Sequence, residues 1–207
     1  MSPEDENGRS HTPKGKARKG KILDMAEKVF AQKGFAAASI SDVVSKLGIS
    51  AGALYHHFPS KKELLAGIAK RSMRQMCELM DNWIEDERLS PGEKMDRFLG
   101  AVEERRQLKK KLLRVDLGLA GEDGEVHEMV IHAGLEPVSE RLTRMIELGN
   151  ASGEFQVEYP RATATFMFLI LADFMHRSKR LEEVAPVKEL DRTMEDAMNQ
   201  FLRRKDS

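Results

Sequence analysis

Residues 39–65 read SISDVVSKLGISAGALYHHFPSKKELL. Ser39 can cap a helix over Ile40 to Leu47, with Asp42 three residues on in capping-box position. Gly48 then supplies the left-handed residue that ends it without a Cβ penalty. Ser50 can cap a second short helix from Ala51 to about Phe58, and Pro59-Ser60-Lys61-Lys62-Glu63 starts a third. Two short helices joined by a three-residue turn containing Gly form the helix-turn-helix pattern. Ile40, Val43, Val44, Leu47, Ile49, Leu54 and Phe58 supply a small core once the preceding helix is added. The second helix keeps an outward face of Ser50, Ala51, Gly52, Ala53, Tyr55, His56 and His57, small at its N-terminal end. Such a helix can approach a major-groove wall N-terminus first.

Lys33-Gly34-Phe35, Ser39-Ile40-x-Asp42-Val43 and Leu47-Gly48-Ile49-Ser50-x-Gly52-Ala53-Leu54-Tyr55-x-His57-Phe58-x-Ser60-Lys61-x-x-Leu64 together resemble the DNA-binding domain of the tetracycline-repressor (TetR) family. The resemblance spans Ala17 to about Ile68. Two positions depart from it: Ala51 stands where the family often has lysine, and Val44 where it often has a small alanine. The resemblance implies a homodimer that reads a palindromic double-stranded DNA operator and responds to a small-molecule effector. With the geometry above, it assigns Ser50, Ala51, Gly52 and His56 to the groove side. Tyr55, Lys61 and the Ser39 cap would hold phosphates.

Charge is distributed as a basic head on an acidic body would have it. Residues 1–65 hold eleven Lys and Arg against seven Asp and Glu, residues 66–207 twenty-three against twenty-seven. Residues 1–16 lack periodicity and read as a disordered basic arm. Lys14 to Lys21 could follow phosphates or serve as a solubilising tail. The head is expected over 17–65, its first helix running from Gly20 to Lys33, and a helical regulatory and dimerisation domain over 66–207. The whole chain reads as all-α.

A helix from Lys61 to about Glu87 joins head to body, and Ser90-Pro91-Gly92-Glu93 begins the next. The run from Arg105 to Arg114 is interleaved with Leu108, Leu112 and Leu113 and reads as a solvated face. Gly118 to Gly124 is a break, Glu125 to Leu148 a helix containing Pro137, and Gly149 to Phe155 a loop. Arg161 to Ser178 is apolar all round, so part of it should be covered by a second copy. Phe166, Leu169, Ile170 and Asp173 on that helix are the expected dimer interface. Leu190, Met194, Ala197 and Phe201 add a seam on the last helix, Val187 to Arg204.

Catalytic chemistry is not signalled, and no cofactor or metal is implied. His127 and His132 are five residues apart, which turns their rings about 140° away from each other on a helix. His176 and Asp173 lie near i,i+3 spacing, and Asp173 could serve a dimer-interface pair or a ligand contact. Cys77 stands alone, no apolar leader opens the chain, and no apolar run is long enough to span a membrane, so a cytoplasmic protein is expected. Met76, Phe98, Val102 and His132 are the candidate effector contacts, chosen as inward-facing positions in the body. The many methionines suit either an adaptable cavity or ordinary core filling. A body without an effector, serving protein docking or architecture, is the alternative; a cavity of about 300 Å³ or more would separate the two.

Overall fold

The computed structural model describes residues 13–35, 37–112 and 124–203, which form eight helices and no strand. Helices α1 (Pro13–Lys33), α2 (Ile40–Leu47) and α3 (Ala51–His57) make the head. The start of α2 is fixed by a reciprocal box: Ser39 Oγ accepts from the Asp42 amide at 3.2 Å, and the Asp42 carboxylate accepts from the Ser39 amide at 2.9 Å. Gly48 ends it at φ 62°, where a side chain would be strained. Ser50 caps α3 through the Ala53 amide at 3.2 Å, and Ser60 caps α4 (Lys61–Glu85) through the Glu63 amide at 3.0 Å. Ile22, Ala26, Val29, Phe30, Val43 and Leu54 are fully buried between these helices.

The first helix begins earlier than the sequence predicts. Proline suits the first position because it has no amide hydrogen to leave without a partner there, so α1 starts at Pro13 and Lys14–Lys21 ride on a helix, not on an extended arm. Residues 1–12 lie outside the described residues.

Helix α4, about 37 Å long at 1.5 Å per residue, enters the body formed by α5 (Pro91–Leu112), α6 (Gly124–Ser152), α7 (Pro160–Glu182) and α8 (Val187–Leu202). Helix α6 packs along α4 on one side and α7 on the other. Met76, Met80, Met95, Met145, Met167 and Met198 are all buried there, so these methionines are core filling. At the α4–α5 corner the buried Lys94 donates to the Ile84 carbonyl at 3.0 Å, satisfying the end of α4.

Gly149–Ser152 belong to α6 and not to the predicted loop. Gly149 is there for contact: a Cβ would stand 1.9 Å from Phe155 Cδ2, so the chain folds back and lays that ring on the glycine. The Phe155 amide donates to the Gly149 carbonyl at 3.0 Å, and the Gln156 amide ties the return to Leu202 at the end of α8. The predicted break at 118–124 lies outside the described residues except Gly124, which opens α6.

Gly149→Ala is expected to lower stability by about 1–3 kcal/mol through overpacking. Combining it with Phe155→Leu should recover part of that in urea titrations. A Gly149→Ala protein with the wild-type midpoint would remove the role given to this contact.

Candidate nucleic-acid interface and cavity

Ala51, Gly52, Tyr55 and His56 are exposed on one face of α3, while Leu54 on the opposite face is completely buried. Tyr55 is 47% exposed. The helix is held by its C-terminal neighbour: the Phe58 ring lies where a Cβ on Gly67 of α4 would meet it at 2.8 Å. Leu23 of α1 touches the same spot, and Lys19 stands 5.2 Å from the Phe58 ring centroid. Two helices, α1 and α4, therefore set the orientation of α3.

Two predicted phosphate contacts are engaged inside the head. Lys61 Nζ donates to the carbonyls of Phe35 (2.7 Å) and Ala38 (3.0 Å) and lies over the Phe35 ring. Its position thus closes the α1–α2 corner, a role that spacing alone did not reveal. The Ser39 hydroxyl is occupied with Asp42 and Ser41. Lys33 pairs with Asp42 and, with Ser39, holds that carboxyl well below the usual range. Burial lowers the His57 pKa, and the neighbouring His56, Arg18 and Lys19 lower it further.

Head and body are also joined by polar contacts. Arg71 of α4 reaches Asp24 at 2.5 Å and Glu27 at 2.6 Å on α1. One residue on, the Ser72 carbonyl and hydroxyl accept from Arg105 of α5 at 3.5 and 3.3 Å. Arg105 is thus partly withdrawn from solvent because it bridges two helices, while the side chains of the rest of the run predicted as a solvated face lie outside the described ones. Met129 of α6 packs against the head core.

On α7, Ala162 and Phe166 are exposed, Phe166 by 56%, while Leu169, Ile170 and Asp173 are partly covered. At 100° per residue these five lie on one outward stripe. His127 Nε2 of α6 stands 3.6 Å from Asp173, whereas the His176 side chain lies outside the described ones. On α8, Leu190, Ala197 and Phe201 flank the buried line; Met198 and Leu202, which periodicity did not single out, are fully buried. Met194, partly buried against the core, lines a cavity with Met198.

That cavity, about 430 Å³, lies between α5, α7 and α8. Leu99, Val102, Leu171, Phe174, Met194 and Met198 form its apolar walls, and Asp96, Glu103, Asp191, Glu195 and Asn199 its polar ones. A larger depression, about 960 Å³, runs along α6, but Leu135 is the one large apolar side chain among its described walls. Of the four predicted effector contacts only Val102 reaches the smaller cavity. Met76 and Phe98 are buried in the core, and His132 is exposed. His132 shares the angular position of the buried Ser139 to within about 20°, yet it is exposed, so helical position alone did not make it inward-facing. Among the described residues no histidine, cysteine or carboxylate group is arranged to hold a metal ion. No helix among them is long and apolar enough to cross a membrane.

The family model for bacterial regulatory proteins of the tetR family matches residues 22–68, and that for the C-terminal domain of AefR-like transcriptional repressors matches 96–204. The repressor KstR2 of Mycobacterium tuberculosis is 41% identical over 49 residues, 24% of each chain. The chain thus spans about a quarter of the length of that relative. The uncharacterized regulator YfiR of Bacillus subtilis is 27% identical over 75% of this chain and 77% of its own. SmeT, the repressor of a Stenotrophomonas maltophilia multidrug efflux pump, superposes with a TM-score of 0.67 over 91% of both chains at 21% identity. Its complex with triclosan superposes with a TM-score of 0.66 at 22% identity, over 92% of this chain and 93% of that one.

The His57 shift makes a pH prediction. Its folded pKa is lowered, so between the ordinary value of 6.5 and the depressed one the unfolded chain binds the proton more readily. Stability is therefore present above pH 6.5 and lost as pH falls through that window. Thermal unfolding should show a steeper loss for the wild type than for His57→Gln between about pH 7.5 and pH 5. Parallel profiles would contradict the assignment.

Proposed function

Because this chain belongs to the TetR family of bacterial regulatory proteins, we propose that it is a ligand-responsive repressor binding a palindromic operator as a dimer. The observation that carries the DNA reading is the outward face of α3: small residues at its N-terminal end, Tyr55 and His56 beyond them, and a buried Leu54 behind. Ala51 and Gly52 allow close backbone approach, His56 offers a hydrogen-bonding ring to base edges, and the Tyr55 hydroxyl suits a phosphate. Lys14–Lys21 on α1 add nonspecific attraction. Ser39 and Lys61 act one step back, by fixing the α1–α2 corner.

The dimer reading rests on the α7 stripe. An exposed phenylalanine within an apolar line, flanked by Leu190, Ala197 and Phe201 of α8, suits a four-helix contact between two copies. Two heads carried by such a dimer would meet half-sites about 34–36 Å apart or a multiple of that.

The cavity supports an effector over a purely architectural body, since its size and mixed walls are those of a small-molecule site. SmeT, which shares the fold, is known in complex with triclosan. An effector wedged against Leu99 and Val102 would displace α5, and Arg105 would pass that movement to Ser72 of α4. Arg71, the next residue, grips α1. The heads would then lose their spacing.

Selection from random duplexes should enrich a twofold-symmetric sequence. His56→Ala should relax base preference, whereas Tyr55→Ala should weaken binding to all sequences alike. Enrichment of an asymmetric site, or of none, would refute the operator reading. Phe166→Glu, at a position the isolated subunit leaves exposed, should yield folded monomers in sedimentation. A dimer of undiminished affinity would place the interface elsewhere.

A further inference from the structure

The outward stripe of α7 continues past the start of that helix. Tyr159 stands one step before it, its carbonyl accepting from the Thr163 amide at 2.9 Å, and its side chain is 67% exposed. At 100° per residue it falls in line with Ala162 and Phe166. These three line, with Pro160, a depression of about 590 Å³. Large apolar side chains left exposed side by side mark a surface that another chain covers. Toward α6 the lining turns polar, where Arg161 and Thr165 border both this depression and the larger one.

The run of the helices says which part of a second copy meets this patch. Helix α6 leaves the head, whose core Met129 touches, and α7 returns along it, so α7 starts at the far end of the body. Helix α8 ends beside that start, since the Gln156 amide donates to the Leu202 carbonyl at 3.2 Å. Two copies that present both heads to one duplex are related by a twofold axis from the heads through the body. Such an axis keeps every element at its own height, and helices lying along it keep their direction. A second copy's α8 therefore runs antiparallel to α7, its last turn level with the first turn of α7.

In that register the side-chain patterns match. Phe201 comes level with Pro160 and Arg161, between Tyr159 and Phe166, and Ala197 comes level with Thr165 and Phe166. Each apolar residue follows a polar one: Arg161 precedes Ala162, Thr165 precedes Phe166, Asp196 precedes Ala197, and Gln200 precedes Phe201. On facing antiparallel helices the preceding sides fall together, so apolar meets apolar and polar meets polar. Asp196 and Gln200 are exposed, as is Arg161, so a carboxylate and an amide come to the guanidinium's side. We infer that Tyr159 and Phe166 clasp the Phe201 ring of a second copy, an aromatic contact made twice across the twofold axis. The inference rests on the dimer reading and adds to it Tyr159, which lies outside the helices, and the register in which α8 crosses α7.

Two full-length chains test it, Tyr159→Cys and Phe201→Cys, each carrying Cys77→Ala to remove the buried native thiol. They are mixed and treated with a short bismaleimide, which spans the roughly 5–7 Å between paired aromatic rings. A covalent heterodimer joined at 159 and 201, identified by peptide mass, is expected from the mixture and not from either chain alone. Separately, Tyr159→Ser should raise the dimer dissociation constant in sedimentation at least about tenfold, with unchanged helical circular dichroism. No 159–201 product, equal cross-linking of either chain alone, or a Tyr159→Ser dimer of wild-type affinity overturns the inference. If Phe201→Cys does not fold, the Tyr159→Ser dissociation constant decides alone. Where one of these results accompanies monomeric Phe166→Glu, the dimer reading stands and only the clasp falls. A wild-type chain that sediments as a monomer removes both.

Discussion

The arrangement depends on one ring. Phe58 ends α3, and its edge occupies the space that a side chain at Gly67 would need, beside Leu23 of α1. This contact joins the outward-facing helix to the long α4, so a tilt of α4 is a tilt of α3. A buried aromatic contributes several times what an exposed ion pair does, and it holds position without depending on salt. Glycine is required at 67 for the close approach, since its backbone is ordinary helix.

Around this apolar joint the polar contacts act as guides. Arg71 forks onto Asp24 and Glu27, carboxylates that are each well exposed, so the pairing itself adds little stability. Its value is geometric, because it fixes the rotation of α1 about α4. Arg105 differs: it is withdrawn from solvent and donates to the Ser72 carbonyl and hydroxyl, so displacing it would leave a partly buried charge unsatisfied. Arg105 thus couples α5 of the body to α4 through Ser72, and Phe58 couples α4 to the head. Met129, reaching the head core from α6, is a second contact between body and head.

Legibility of the sequence differed between the two halves. In the head, Ser39, Gly48, Ser50 and Ser60 cap or end their helices as their spacing predicts, because capping is chemistry within a few residues. In the body the same rules misplaced the end of α6. Gly149 looks like a stop signal, but it is a landing place for Phe155, six residues later. Lys61 illustrates the limit within the head: a basic residue at a helix start near the expected phosphate path turns inward to two carbonyls more than twenty residues away.

What the amino-acid order determined by itself was local: the helical class, the helix-turn-helix with its caps, the outward face of α3 and the apolar line on α7. These follow from periods of 3.6 residues and from side chains bonding to nearby backbone. What only the tertiary structure decided was which inward-facing residues meet a void and which meet one another. Met76, Phe98 and Val102 are indistinguishable by helical position, yet the first two are packed in the core and the third lines the cavity. Likewise Asp96, Glu103, Asp191 and Glu195 are four scattered surface carboxylates in the chain. They line one cavity together in the fold, because a cavity is a property of helices brought together and has no period along the chain.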